Sequence, residues 1–144
     1  MAFFERMSKE EARGVNPVVL AFLGDAVYSL WVRERLVRKG GGKPSELQST
    51  AAKIVSAGGQ SELLEKLLPL LNGEEEEVFK RGRNAKKTTK AKSASVAEYN
   101  RSTGFEAVLG FLYLTGQDER IVELLSCDGE ENYAVAKKIR EFRP

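Results

Sequence analysis

From Pro17 to Val32 the chain carries a single charged residue, Asp25, and the run is framed by Asn16-Pro17 at one end and Gly40-Gly41-Gly42 at the other. Asparagine before proline is a helix-start pattern, since the amide caps free N–H groups and proline tolerates the first helical turn. Triple glycine is a stop signal. The frame therefore predicts one helix from Pro17 to about Lys39. A helix apolar around most of its circumference must be covered by other helices or by a second subunit. Its second half, Arg33 to Lys39, is charged and returns to solvent.

The remaining segments read the same way. Lys43-Pro44-Ser45 opens a second helix that runs to near Gly58-Gly59. Leu63, Leu64, Leu67 and Leu68 give a third, from Ser61 to Leu68, their spacing of three and four placing them on a core face before Pro69. Asn72, followed by Glu74 to Glu77, reads as a capped helix start in which Glu75 reaches back as in a capping box. Further on, the pattern predicts a short helix from Val96 to Arg101, an apolar one from Thr103 to Leu114, a turn at Thr115-Gly116-Gln117 and a helix from Glu119 to Leu125. A final amphipathic helix is expected over Glu130 to Phe142, with Tyr133, Ala136 and Ile139 at helical spacing. No segment sustains strand alternation, so the expected class is all α. At 144 residues the chain is read as one domain, 1–144.

Composition narrows the chemistry. The chain contains no histidine, which removes Ser-His-Asp triads, imidazole zinc sites and histidine acid–base catalysis together. Cys127 stands alone and cannot form an intrachain disulfide. The N-terminus lacks the basic and apolar regions of a signal peptide, and no apolar run is long enough to span a membrane. The expectation is a soluble cytoplasmic protein working with carboxylates, lysines, tyrosines or a metal.

Two carboxylates stand almost alone in apolar helices, Asp25 and Glu106, the latter within Gly104 to Leu112. Burying an unpaired charge is costly, so each needs a cation, a donor or a metal. Pairing with arginine is one answer. Joint coordination of Mg²⁺, a hard ion that takes one or two carboxylates and completes its shell with water and phosphate oxygens, is the other. Gly24 precedes Asp25, and Gly110 lies one turn beyond Glu106 on the same face. Mid-helix glycine costs about 1 kcal/mol relative to alanine, so a close helix crossing or a ligand should require it.

Between Lys80 and Lys92 the chain places Lys80, Arg81, Arg83, Lys86, Lys87, Lys90 and Lys92 with no acid among them, although the net charge of the whole is only +2. We read Arg83 to Ser95 as a long basic loop. Such a run is either a solvated face or a phosphate grip, in which Arg81, Arg83, Asn84, Lys86, Lys87, Lys90 and Lys92 would contact nucleic acid.

Leu20-Ala21-Phe22-Leu23-Gly24-Asp25-Ala26-Val27-Tyr28 resembles the signature helix of ribonuclease III catalytic domains, and Ser102 to Leu114 resembles that family's second acidic helix. The string Lys80-Arg81-Gly82-Arg83-Asn84-Ala85-Lys86 is similar to the stand-alone branch of the family, the bacterial Mini-ribonucleases III. The likeness spans about residues 15 to 125. It implies an all-α ribonuclease III-like bundle, without an appended double-stranded RNA-binding domain, acting as a homodimer with the signature helix near the two-fold axis. It implies Mg²⁺-dependent cleavage of double-stranded RNA, with Mn²⁺ as a substitute, giving 5′-phosphate and 3′-hydroxyl ends. Asp25 and Glu106 match catalytic, metal-holding positions. Ala21 and Thr103 stand where the wider family has further acids, so one firmly held ion is expected rather than two. The implied substrate is precursor ribosomal RNA, trimmed at the paired ends of the large-subunit (23S) species. The competing readings are a catalytically silent helical dimer that binds structured RNA, and a protein-interaction domain without a nucleic-acid partner.

Overall fold

A computed structural model describes residues 5–40, 42–87 and 95–127. Among them there are seven α-helices: α1 (Lys9–Arg13), α2 (Pro17–Lys39), α3 (Pro44–Val55), α4 (Ser61–Leu67), α5 (Gly73–Asn84), α6 (Val96–Leu114) and α7 (Asp118–Leu125). A 3₁₀ turn over Leu68–Leu70 follows α4 and accommodates Pro69. The described residues contain no strand. The helix expected over Glu130 to Phe142 lies outside them.

The caps explain most boundaries. Asn16 accepts from Val18 N–H at 2.8 Å, and Pro17 is the first residue of α2. Capping boxes open α1 at Ser8 with Glu11, α5 at Asn72 with Glu75, and α6 at Ser95 with Glu98. The first of these belongs to a five-residue helix that the sequence reading did not include. The second helix stops at Val55, short of the expected Gly58-Gly59. Ser56 leaves helical geometry there, its Oγ donating to the Lys53 carbonyl and accepting from Gly59 N–H, which folds the chain into a tight turn toward Gln60.

The largest correction concerns α6, expected as two helices and found as one 19-residue helix. The polar Arg101-Ser102-Thr103 stretch looked like a break. Instead Ser102 and Thr103 are buried, and the Thr103 hydroxyl donates to the Tyr99 carbonyl of its own helix at 3.0 Å, so no polar group is stranded. Every residue of α6 from Ser102 to Leu112 is buried except Glu106. This is the axial helix of the bundle, packed chiefly against α2 on one side and α5 on the other.

Both packings depend on glycine. At the α2–α6 crossing, a Cβ added to Gly24 would stand 1.7 Å from the Glu106 carbonyl oxygen, and one added to Gly110 would stand 2.0 Å from that of Leu20. At the α5–α6 contact, a Cβ on Gly104 would lie 2.7 Å from the Phe79 carbonyl oxygen. The axial helix is thus gripped backbone to backbone. Around the crossings Tyr28 and Phe105 meet edge to face at 5.2 Å between centroids. The α7 end is anchored by Arg120, which donates to both oxygens of buried Glu75 at 2.8 Å and to the Leu70 carbonyl at 2.8 Å.

Candidate active site

The Gly24–Gly110 crossing decides where the two carboxylates fall. Asp25 follows one glycine and Glu106 lies one turn before the other, so bringing the backbones into contact brings the side chains together. Their carboxyl groups are close enough to share a hydrogen bond. Asp25 is exposed, whereas Glu106 is mostly buried. Burial first, then the charge of Asp25 and the hydrogen bond with it, push the Glu106 carboxyl up to about 9, against a smaller opposing effect from Gln60. In the absence of a cation, Glu106 therefore holds a proton at neutral pH.

Two polar side chains complete the surroundings, and neither was singled out from sequence. Gln60 is fully buried; its Nε2 donates to the Val55 carbonyl at 2.9 Å and reaches Glu106 Oε2 at 3.4 Å. Its Oε1 has no hydrogen-bond partner among the described residues. Tyr28 is also fully buried, its hydroxyl likewise without a hydrogen-bond partner among the described residues, and burial followed by the charge of Glu106 pushes its phenol pKa up. Gln60 stood next to Gly58-Gly59 and before a new helix, a setting that reads as a surface turn. No pattern marked it as interior.

The described residues contain no group of three or more acidic, histidine or cysteine side chains that could hold a metal. The site is a pair of carboxylates with an amide beside it. Ala21 and Thr103, where further acids were considered, are both buried, and the Thr103 hydroxyl is engaged within α6.

The basic run divides. Arg81, Arg83 and Asn84 lie on the last turn of α5, so the loop expected from Arg83 begins only after Asn84. Arg81 donates to the Arg13 carbonyl at 3.0 Å, tying α5 to the end of α1. Arg83 is exposed and donates to the Asn84 side chain at 3.1 Å. Lys86 is exposed. Lys87 folds back, its Nζ donating to the carbonyls of Gly82, Arg83 and Ala85 at 3.0, 3.1 and 2.7 Å, and burial lowers its pKa. It thus closes the C-terminal end of α5, where free carbonyls and the helix dipole favour a cation. Lys90 and Lys92 lie outside the described residues.

The described residues form an all-α bundle whose two longest helices cross on glycine and bring two carboxylates together. The Ribonuclease III domain model matches residues 18–117. The chain belongs to the ribonuclease III family of endoribonucleases, which act on double-stranded RNA and generally use a divalent metal. Within that family it falls in the Mini-ribonuclease 3 branch. It is 49% identical to the Mini-ribonuclease 3 of Brevibacillus brevis over 83% of this chain and 92% of that protein. It is 48% identical to the Mini-ribonuclease 3 of Streptococcus pneumoniae over 78% of this chain and 89% of that protein. A crystal structure of a protein from Fusobacterium nucleatum superposes with a TM-score of 0.71 at 33% identity, covering 78% of this chain and 91% of that one.

Proposed function

We propose that this protein is a Mg²⁺-dependent endoribonuclease in which Asp25 and Glu106 hold the ion, with Mn²⁺ able to replace it. The observation that carries this reading is the meeting of two carboxylates across the glycine crossing, one exposed and one mostly buried. The two carboxylates that meet there are oxygen donors, which suits a hard cation. When bound, the ion supplies a Lewis acid for the phosphate and lowers the pKa of water. Glu106 would hold the ion as the carboxylate, so ion and proton would compete for it. Asp25, on the solvent side, would hold the ion where a phosphate can reach it. The reaction is hydrolysis of a phosphodiester with 5′-phosphate and 3′-hydroxyl products.

Arg83 and Lys86 are the described cations exposed for the duplex backbone, with Asn84 beside them, and the grip continues into Lys90 and Lys92. Arg81 and Lys87 serve by holding the C-terminal end of α5. Recognition of A-form RNA through backbone and 2′-hydroxyls fits a short basic surface of this kind.

The active form is a homodimer built on α2. Val19, Phe22, Leu30 and Val37 are 54, 81, 67 and 69% exposed, and at helical spacing they form a stripe on the side of α2 opposite Leu20, Gly24, Tyr28, Val32 and Leu36, which are buried. An exposed apolar stripe, interrupted by Arg33, marks an interaction surface. A second copy across a two-fold axis covers it self-complementarily and sets two sites for the two strands of a duplex. The physiological substrate is the precursor of large-subunit ribosomal RNA, processed in the cytoplasm at its paired ends; among the described residues no helix is long and apolar enough to cross a membrane.

Incubating long duplex RNA with the protein in Mg²⁺, beside Asp25→Asn and Glu106→Gln, tests the site. Both variants should lose cleavage while still binding RNA, and unimpaired cleavage by either removes that carboxylate from the chemistry. Sedimentation of Phe22→Asp should shift the protein toward monomer. Cells depleted of the protein should accumulate unprocessed 23S ends.

A further inference from the structure

Among the described residues Gln60 is the one fully buried amide whose nitrogen reaches a proposed metal-binding carboxylate, and its orientation follows from its neighbours. Nε2 stands between two oxygens, Val55 O at 2.9 Å and Glu106 Oε2 at 3.4 Å. Reversing the amide would set Oε1 against the Val55 carbonyl, which can only accept, replacing the shorter attractive contact by a repulsive one. The –NH₂ group therefore faces Glu106 and the carbonyl oxygen faces away from it. The backbone under Gln60 is fixed as well. Its N–H donates to Ser56 O at 3.0 Å, and its carbonyl accepts from Leu64 N–H at 3.0 Å. The next residue, Ser61, is bonded to the axial helix, donating to Glu98 at 3.1 Å and accepting from Arg101 at 3.4 Å. The start of α4 is thus bolted to the helix that carries Glu106.

We propose that Gln60 is a positioning residue for the metal site: its amide nitrogen, aimed by the Val55 carbonyl, holds one oxygen of the Glu106 carboxylate so that the other keeps a fixed direction toward Asp25 and the ion. A carboxylate at the end of a glutamate side chain turns freely about its last bond unless an outer donor fixes it, and such donors commonly govern metal affinity. An amide suits this task because it orients without adding charge to a site that already contains two carboxylates. A lysine or arginine in its place would compete with the cation. The 3.4 Å separation is at the long end for a hydrogen bond.

This inference rests on Asp25 and Glu106 holding the ion, and the experiment separates the two. Mn²⁺ binding is followed by electron paramagnetic resonance without RNA, for wild type, Asp25→Asn, Glu106→Gln, Gln60→Leu and the double variant Gln60→Leu/Glu106→Gln, with circular dichroism melting alongside. Gln60→Leu should weaken Mn²⁺ binding by about 10- to 100-fold. In the Glu106→Gln background the same change should weaken it no further, since Gln60 acts through Glu106. Unchanged affinity in folded Gln60→Leu overturns the proposal, even if its melting temperature falls, because that is what a purely structural role predicts. An additive loss in the double variant also overturns it. Undiminished Mn²⁺ binding by Asp25→Asn and Glu106→Gln instead sinks the reading of the site itself. A measurement on the wild type covers the case in which Gln60→Leu does not fold. The side-chain ¹⁵N–¹H₂ resonances of Gln60 should move when Mg²⁺ is added and stay still in Glu106→Gln; resonances indifferent to Mg²⁺ in a wild type that binds it refute the proposal.

Discussion

Replacing Gly24 with alanine adds one methyl group, and two effects of opposite sign compete. Helix propensity favours the change by about 1 kcal/mol, since glycine is the poorer helix former. The new Cβ, however, would sit 1.7 Å from the Glu106 carbonyl oxygen, 2.6 Å from its carbon and 2.9 Å from Gly110 N. All three are main-chain atoms, which cannot swing aside as a side-chain tip can. Restoring an ordinary contact of about 3.4 Å requires α2 and α6 to separate by roughly 1.7 Å along that line, which opens gaps around Leu20 and Tyr28. Overpacking of this kind costs about 1 to 3 kcal/mol and more where the backbone must move, so a net loss of about 2 kcal/mol remains after the propensity gain. For a domain of this size that is roughly a 4 to 8 °C fall in melting temperature. The shift also pulls Glu106 away from Asp25, so RNA cleavage should fall further than stability does. Gly73→Ala is the control, because nothing lies within 4 Å of the added Cβ and the residue opens α5; it should be neutral or slightly stabilising. A Gly24→Ala protein that melts at or above the wild-type temperature with full activity would refute the backbone-to-backbone crossing.

Four other outcomes follow from the same geometry. In metal-free buffer Glu106 keeps its proton up to about pH 9 when folded, while in the unfolded chain it ionises near 4.5, so stability should decline as pH rises between those values. Chemical denaturation of Glu106→Gln across that range should show the slope removed and the protein firmer at pH 8. Asp25→Asn and Glu106→Gln should each lower cleavage by more than the roughly 100-fold that bounds the loss of an outer partner of a metal site, measured as kcat/KM on duplex RNA. Arg120→Ala strands the buried carboxylate of Glu75, which Arg120 otherwise holds below its usual pKa against the effect of burial; the loss should be about 3 to 5 kcal/mol by urea denaturation. Lys86→Ala should weaken RNA binding and flatten its salt dependence without altering melting, whereas Lys87→Ala, which uncaps α5, should lower melting first.

Much of this was legible in the residues because it depends on local chemistry. Asn16-Pro17, Asn72 with Glu75, and the leucine spacing after Ser61 each specify an element through caps and periodicity, and these elements appear where expected. The fold class followed from helical spacing throughout and the absence of any sustained strand alternation. What escaped depends on tertiary contact. The Ser102-Thr103 pair looked like a break until α5 covered it, with Gly82 against Gly104. The basic run looked uniform because charge says nothing about which amines turn back to close a helix, as Lys87 does. Asp25 and Glu106 were joined by resemblance, while Gly24 and Gly110 marked the crossing without fixing whether ligand or backbone filled the space. Gln60 gave no signal, because a buried amide and an exposed one are spelled alike.

The crossing of α2 with α6 also sets an order in time. Asp25 and Glu106 are 81 positions apart, and closing a loop of that length costs about 4 kcal/mol of chain entropy beyond a constant term. Only the nearly complete bundle returns that much, so neither helix alone, nor any fragment ending before α6, assembles the site. A chain being synthesised exposes Asp25 long before Glu106 exists. On the proposed assignment of the site to Asp25 and Glu106, a chain truncated before its axial helix should therefore cleave no RNA.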